Sequence, residues 1–165
     1  MTTKQLILKK KQNGKIPYLT ELLEDKRIRT NTILYKKLTG LGATHSEIKA
    51  ARHSIIIEPN RPVIIGKCKD PEHKNDNLFG VYQGVLTDDI IDYIEDSKGK
   101  YLKILTTPES FHKVEEALKA TDIDIRFNCF LLFDECHKII KDSDYRETIS
   151  LPMDLFFECE NKALV

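Results

Sequence analysis

Four apolar residues, Phe130-Leu131-Leu132-Phe133, run without a polar break into Asp134-Glu135 and then Cys136-His137. A short apolar run of this kind suits a strand covered on both faces, as in a parallel sheet. The two acids fall where such a strand emerges, at the carboxyl edge where open α/β folds hold their ligands. An Asp there can hold a divalent cation, and a neighbouring Glu can orient or deprotonate a water. The plainer alternative is a core strand followed by a solvated acidic turn.

The rest of the chain repeats the alternation. Residues 31–38 alternate as a strand, with Ile33 and Tyr35 on one face and Thr32 and Leu34 on the other. Residues 54–57, 79–85, 101–105 and 129–133 read as further strands. Helical patterns lie between them at 88–96, where Ile90, Ile91 and Ile94 share a face, and from 111, where Phe111, Val114, Ala117 and Leu118 do. A short helix is expected near 18–23. Another should start at Thr44-His45-Ser46-Glu47, with Thr44 or Ser46 as its cap. Residues 63–66 fit either helix or strand, 67–77 read as a polar loop, and a helix should follow Cys136 through Ile140. The expected fold class is α/β, a parallel sheet flanked by helices. Right-handed crossovers would then bring all the strand exits to one edge.

At 165 residues, with 41% apolar and 32% charged residues, the chain suits one domain with a real core. Its formal net charge is zero, which argues against strong non-specific binding to nucleic acid. The lysines at 9, 10, 11 and 15, and those at 36 and 37, read first as solvated surface. No apolar run reaches the ~20 residues that cross a bilayer. The first residues lack a secretory pattern, so a cytoplasmic location is expected. Cys68, Cys129, Cys136 and Cys159 make no C-x-x-C pair and read as reduced thiols. His45, His53, His73 and His112 show no zinc-finger spacing and read as surface or loop residues.

Three other segments sit at expected strand exits. Gly40-Leu41-Gly42-Ala43-Thr44 is a glycine-rich strand-to-helix turn, a geometry that aims backbone N–H groups at a phosphate. It lies about 90 residues before the Asp134-Glu135 pair. A plain tight turn would look the same. Glu58-Pro59-Asn60-Arg61 ends one strand, and Thr106-Thr107-Pro108-Glu109 leads from another into a helix. Either could be an ordinary exit, since Pro suits a first helical turn with or without a ligand.

Together, and in this order, the four segments resemble motifs I, Ia, Ib and II of the superfamily-two helicases of the DEAD/DEAH-box class. The resemblance covers most of the chain from residue 31 onward, with residues 1–30 as an extension before it. It implies a RecA-like P-loop core that binds ATP and Mg²⁺ and couples them to nucleic-acid unwinding or remodelling. It implies Gly40, Gly42, Ala43 and Thr44 at the nucleotide, and Thr44 and Asp134 at the metal. Glu135 would activate water, and His137 would link that site to the nucleic-acid segments. Pro59, Asn60, Arg61, Thr107, Pro108 and Glu109 would meet the nucleic acid. Residues 161–165 resemble the strand that leads to motif III, so a second RecA-like domain is expected beyond this stretch.

The chain departs from the family pattern at Ala43, where the phosphate-binding lysine belongs, and at Lys37, where a small residue does. Loss of that lysine argues against ATP hydrolysis. A helicase-fold module that binds nucleic acid or protein without hydrolysing ATP is the second expectation. A third is an unrelated metal-dependent α/β enzyme, such as a nuclease. It would pair Asp134 and Glu135 with Asp88-Asp89 or with Asp122 and Asp124.

Overall fold

The computed structural model describes residues 14, 16–23, 25–35, 40–137 and 151–165. Its centre is a six-stranded sheet: β1 (Thr32–Ile33), β2 (Ser54–Ile57), β3 (Leu78–Val81), β4 (Lys103–Thr106), β5 (Phe130–Phe133) and β6 (Asn161–Leu164). The spatial order is β1-β6-β5-β2-β4-β3, and every neighbouring pair is parallel. The helices are α1 (Leu19–Leu22), α2 (Ala43–Lys49), α3 (Arg61–Lys69), α4 (Thr87–Asp96), α5 (Phe111–Ala120), α6 (Ile125–Asn128) and α7 (Leu151–Glu158). This is the α/β architecture expected from the sequence, and it accords with a RecA-like core.

The apolar runs alternate between two cores. Ile55, Ile57, Ile104, Leu131 and Phe133 pack on one side with residues of α4, α5, α6 and α7. Ile56, Leu105, Phe130 and Leu132 pack on the other with residues of α1, α2 and α3. Because helices cover both faces, no strand position in β2, β4 or β5 can stay wet, and all twelve are buried. Each fully buried Ile, Leu or Phe contributes roughly 1.5–3 kcal/mol. Residues ahead of 31 join in. Leu19 and Ile28 lie in the second core, and the Asn31 amide donates to Lys162 O at 2.6 Å.

Several local details differ from the sequence expectations. Residues 63–66 fall inside α3, which also takes 67–69 from the expected loop, and Pro71–His73 forms a 3-10 turn. The strand expected at 79–85 is Leu78–Val81, because the chain turns at Gln83-Gly84. β1 has two residues, Thr32 and Ile33. Lys36 and Lys37, the lysines at 9, 10, 11 and 15, and the helix expected beyond His137 lie outside the described residues. Among the described residues, no helix is long and apolar enough to cross a membrane.

Candidate nucleotide site at the carboxyl edge

The parallel register sets the strand exits side by side. Ile57 pairs with both Thr106 and Phe133, and Phe133 pairs with Leu164. One residue further along the ladder still holds. Glu58 N donates to Thr106 O at 2.9 Å, Thr107 N to Val81 O at 3.1 Å, Asp134 N to Ile57 O at 3.0 Å and Val165 N to Phe133 O at 2.8 Å. Three of the four segments singled out in the sequence, the exits at Glu58, Thr107 and Asp134, therefore share one edge of the sheet.

The glycine turn enters this edge through α2. Gly40 and Gly42 both take the left-handed conformation, at φ 76° and 75°. Gly42 is the helix N-cap, and Ser46 N closes the first turn onto Gly42 O at 2.8 Å. A side chain at 42 would be strained twice. Its φ disfavours any L-residue, and a Cβ would lie 3.1 Å from Tyr18 Cδ1. Leu19 N donates to Leu41 O at 2.8 Å, so α1 braces the turn from outside.

Helix α2 begins one residue earlier than expected, and neither Thr44 nor Ser46 caps it. Thr44 instead sits in the first turn, 8% exposed, and its hydroxyl donates to Asp134 Oδ2 across 90 residues of chain. Asp134 is 4% exposed, and its Oδ1 accepts from Glu135 N at 3.0 Å. Glu135 itself takes φ 53°, uncommon for a non-glycine residue and a feature that gathers at functional sites. His137 Nε2 lies 3.5 Å from Glu135 Oε2. Cys136 N donates to Val165 O at 2.9 Å, tying the exit of β5 to the end of β6.

Ala43 is 2% exposed and belongs to the second core. Where the family resemblance wants a lysine, this chain has a packed core residue. The other two segments are engaged within the fold. Glu58 is buried, and its Oε1 accepts from both the amide and Nδ2 of Asn60 at 3.0 Å. Half-buried Pro59 lies between them, and the exposed Arg61 stacks its guanidinium 4.7 Å from the Tyr82 ring centroid. Thr107 and Pro108 are buried, and Glu109 is exposed.

At the opposite edge lies a polar cluster that sequence reasoning missed. Glu47, fully buried, accepts from Arg52 Nε at 2.8 Å, Arg52 Nη2 at 2.5 Å and Ser54 Oγ at 2.6 Å. Lys103 Nζ donates to Glu47 O, Ala50 O and Ser54 Oγ at 2.9, 2.7 and 2.9 Å. Burial lowers the Lys103 ammonium to about 8, against the pull of Glu47. A cation on the last carbonyls of α2 satisfies the orphan acceptors of a helix end.

No protein-family model matches this sequence, and no curated protein matches it. The four segments, their order and the geometry of the edge are what bear on function.

Proposed function

We propose that this chain is a nucleotide-binding domain of helicase type, which binds MgATP at the carboxyl edge and couples it to the remodelling of nucleic acid. The observation that supports this most is the buried Thr44–Asp134 hydrogen bond. It joins the glycine turn to the acidic strand exit, the two segments a Mg-nucleotide site must bring together.

A hydroxyl and a carboxylate oxygen are hard donors, which fit Mg²⁺. When bound, the ion would supply charge neutralisation at the phosphates, held by Thr44 and Asp134. Glu135, next along the chain, is the group to orient or deprotonate a water. Pro59, Asn60, Arg61, Thr107, Pro108 and Glu109 lie on the same edge as candidates for the nucleic-acid backbone. Arg61 is the exposed cation among them. A second RecA-like domain would complete the nucleotide site from the other side.

Ala43 favours a second reading. Its position in the core leaves this turn without the lysine that neutralises β- and γ-phosphate charge. On that reading the domain binds nucleotide, nucleic acid or protein but turns ATP over slowly or not at all. Calorimetric titration of MgATP into the chain and into Asp134→Ala tests the proposal. Saturable, Mg²⁺-dependent binding that disappears in the variant is expected. Equal heats from both proteins, or none from either, would overturn it. Phosphate release measured with and without single-stranded RNA or DNA then separates the two readings.

A further inference from the structure

His73 was expected to be a loop residue, and it is 3% exposed. Its Nδ1 lies 2.8 Å from Asp76 Oδ2, and its Nε2 has no hydrogen-bond partner among the described residues. A buried imidazole nitrogen with nothing to bond is costly, so it points to a ligand. Two further donors surround it. His45 lies on α2 and Glu72 on the same 3-10 turn as His73. One ligand atom from each of the three residues lies within 4.8 Å of the other two. His45 Nε2 is 3.9 Å from Glu72 Oε1, and the two imidazole centroids are 5.2 Å apart.

We infer that His45, Glu72 and His73 form a binding site for one divalent transition-metal ion of the zinc type. Two imidazoles and one carboxylate are a known three-donor set for zinc, with a fourth position open to water. Asp76 supplies the supporting contact that such histidines need. Accepting at Nδ1–H, it leaves Nε2 as the nitrogen His73 has to offer and holds the ring in place. Asp76 is held in turn by Lys49 Nζ at 2.6 Å, which also donates to Glu72 O at 3.0 Å. Asp70 shapes the turn by accepting from Glu72 N at 3.0 Å.

Tetrahedral zinc would want its donor atoms about 3.4 Å apart, so the three, which lie within 4.8 Å of one another, must draw together. The Glu72 side chain is 63% exposed and can move toward the two imidazoles. Burial lowers the His45 pKa; Glu72 opposes this, while His73, Lys67 and Lys49 add to it. The two lysines also oppose a cation, and Glu72 and Asp76 offset them.

The site is separate from the proposed nucleotide contacts, although His45 follows Thr44 directly. A bound ion would clamp α2 to the 71–73 turn and so fix the helix that carries Thr44. Titration of Zn²⁺ into the untagged chain, with excess Mg²⁺ present to fill oxygen-only sites, tests the inference. One Zn²⁺ per chain is expected, and Co²⁺ in its place should give the visible bands of a tetrahedral site. His45→Ala should weaken binding at least about tenfold, and Asp76→Asn by about 10–100-fold. Neither variant removes the buried His73 ring, so both should fold, as circular dichroism would verify. No saturable binding, or binding unchanged in the double variant His45→Ala/Glu72→Gln, would overturn the inference.

Discussion

The two ends of α2 carry buried polar contacts of different kinds. At its carboxyl-terminal end, Glu47, Arg52, Ser54 and Lys103 form a network of formal charges matched by oppositely charged or polar partners. At its amino-terminal end, the Asp134 carboxylate holds the Thr44 hydroxyl and the Glu135 amide, beside a turn built on two left-handed glycines. The first arrangement is what a fold needs to bury ions without loss. The second gathers strained backbone, a buried acid and a hydroxyl at the edge where parallel sheets bind ligands. Both are buried and polar, and burial alone does not separate a clamp from a site.

The largest expected effect falls on the clamp. Glu47→Ala leaves Arg52 and Lys103 without their buried carboxylate and should cost about 3–5 kcal/mol in urea unfolding. A cost below about 1 kcal/mol would remove the contrast between the two ends. At the site end, Ala43→Lys forces a long cation into a packed position and should cost about 1–3 kcal/mol. If the same variant binds MgATP more tightly, the turn has kept its phosphate-facing geometry and lacks only the lysine. Gly42→Ala should cost about 1–2 kcal/mol from its positive φ, with a further penalty against Tyr18.

The smallest effect is one of pH. Lys103 is lowered to about 8 in the folded chain, from the ordinary 10.5. Above 8 the folded state has released this proton while the unfolded state keeps it, so stability rises with pH. The gain is lost as pH falls through 8. It should amount to at most about 1.4 kcal/mol per pH unit. Burial raises the Cys68 thiol, Cys129 to about 12 and Cys159 to about 11, and these thiols, which ionise around 9 in the unfolded chain, oppose the gain. The lysine's contribution is therefore the difference between the native chain and Lys103→Met, which carry the same cysteines. From pH 8 to 9 the unfolding midpoint of the native chain should rise relative to that of Lys103→Met, and a constant difference would contradict the shift.

Strands and their common edge were legible because uninterrupted apolar runs ended at Pro, Gly or paired acids. Phe130–Phe133 and the exits at Glu58, Thr107 and Asp134 all fell where local pattern put them. What was not legible depended on partners far along the chain. Thr44 reads locally as a helix cap, yet its hydroxyl goes to Asp134 and Gly42 takes the cap position. Lys103 falls inside the expected strand 101–105 with no visible partner, and only the folded sheet shows α2 ending above it. His73 sits in a polar stretch that any composition rule reads as loop, and only the fold shows it buried, bonded to Asp76 and beside the His45 ring. Ala43 was visible as a missing lysine, but its place in the core was not.

The joining of the glycine turn to the acidic strand exit through Thr44 and Asp134 is central, and a double-mutant cycle measures it. Urea unfolding of the native chain, Thr44→Val, Asp134→Asn and the double variant gives the coupling between the two side chains. The expected result is a coupling of about 0.5–3 kcal/mol, with the double variant losing less than the sum of the singles. Losses that add to within about 0.3 kcal/mol would contradict the contact, and with it the site built on it.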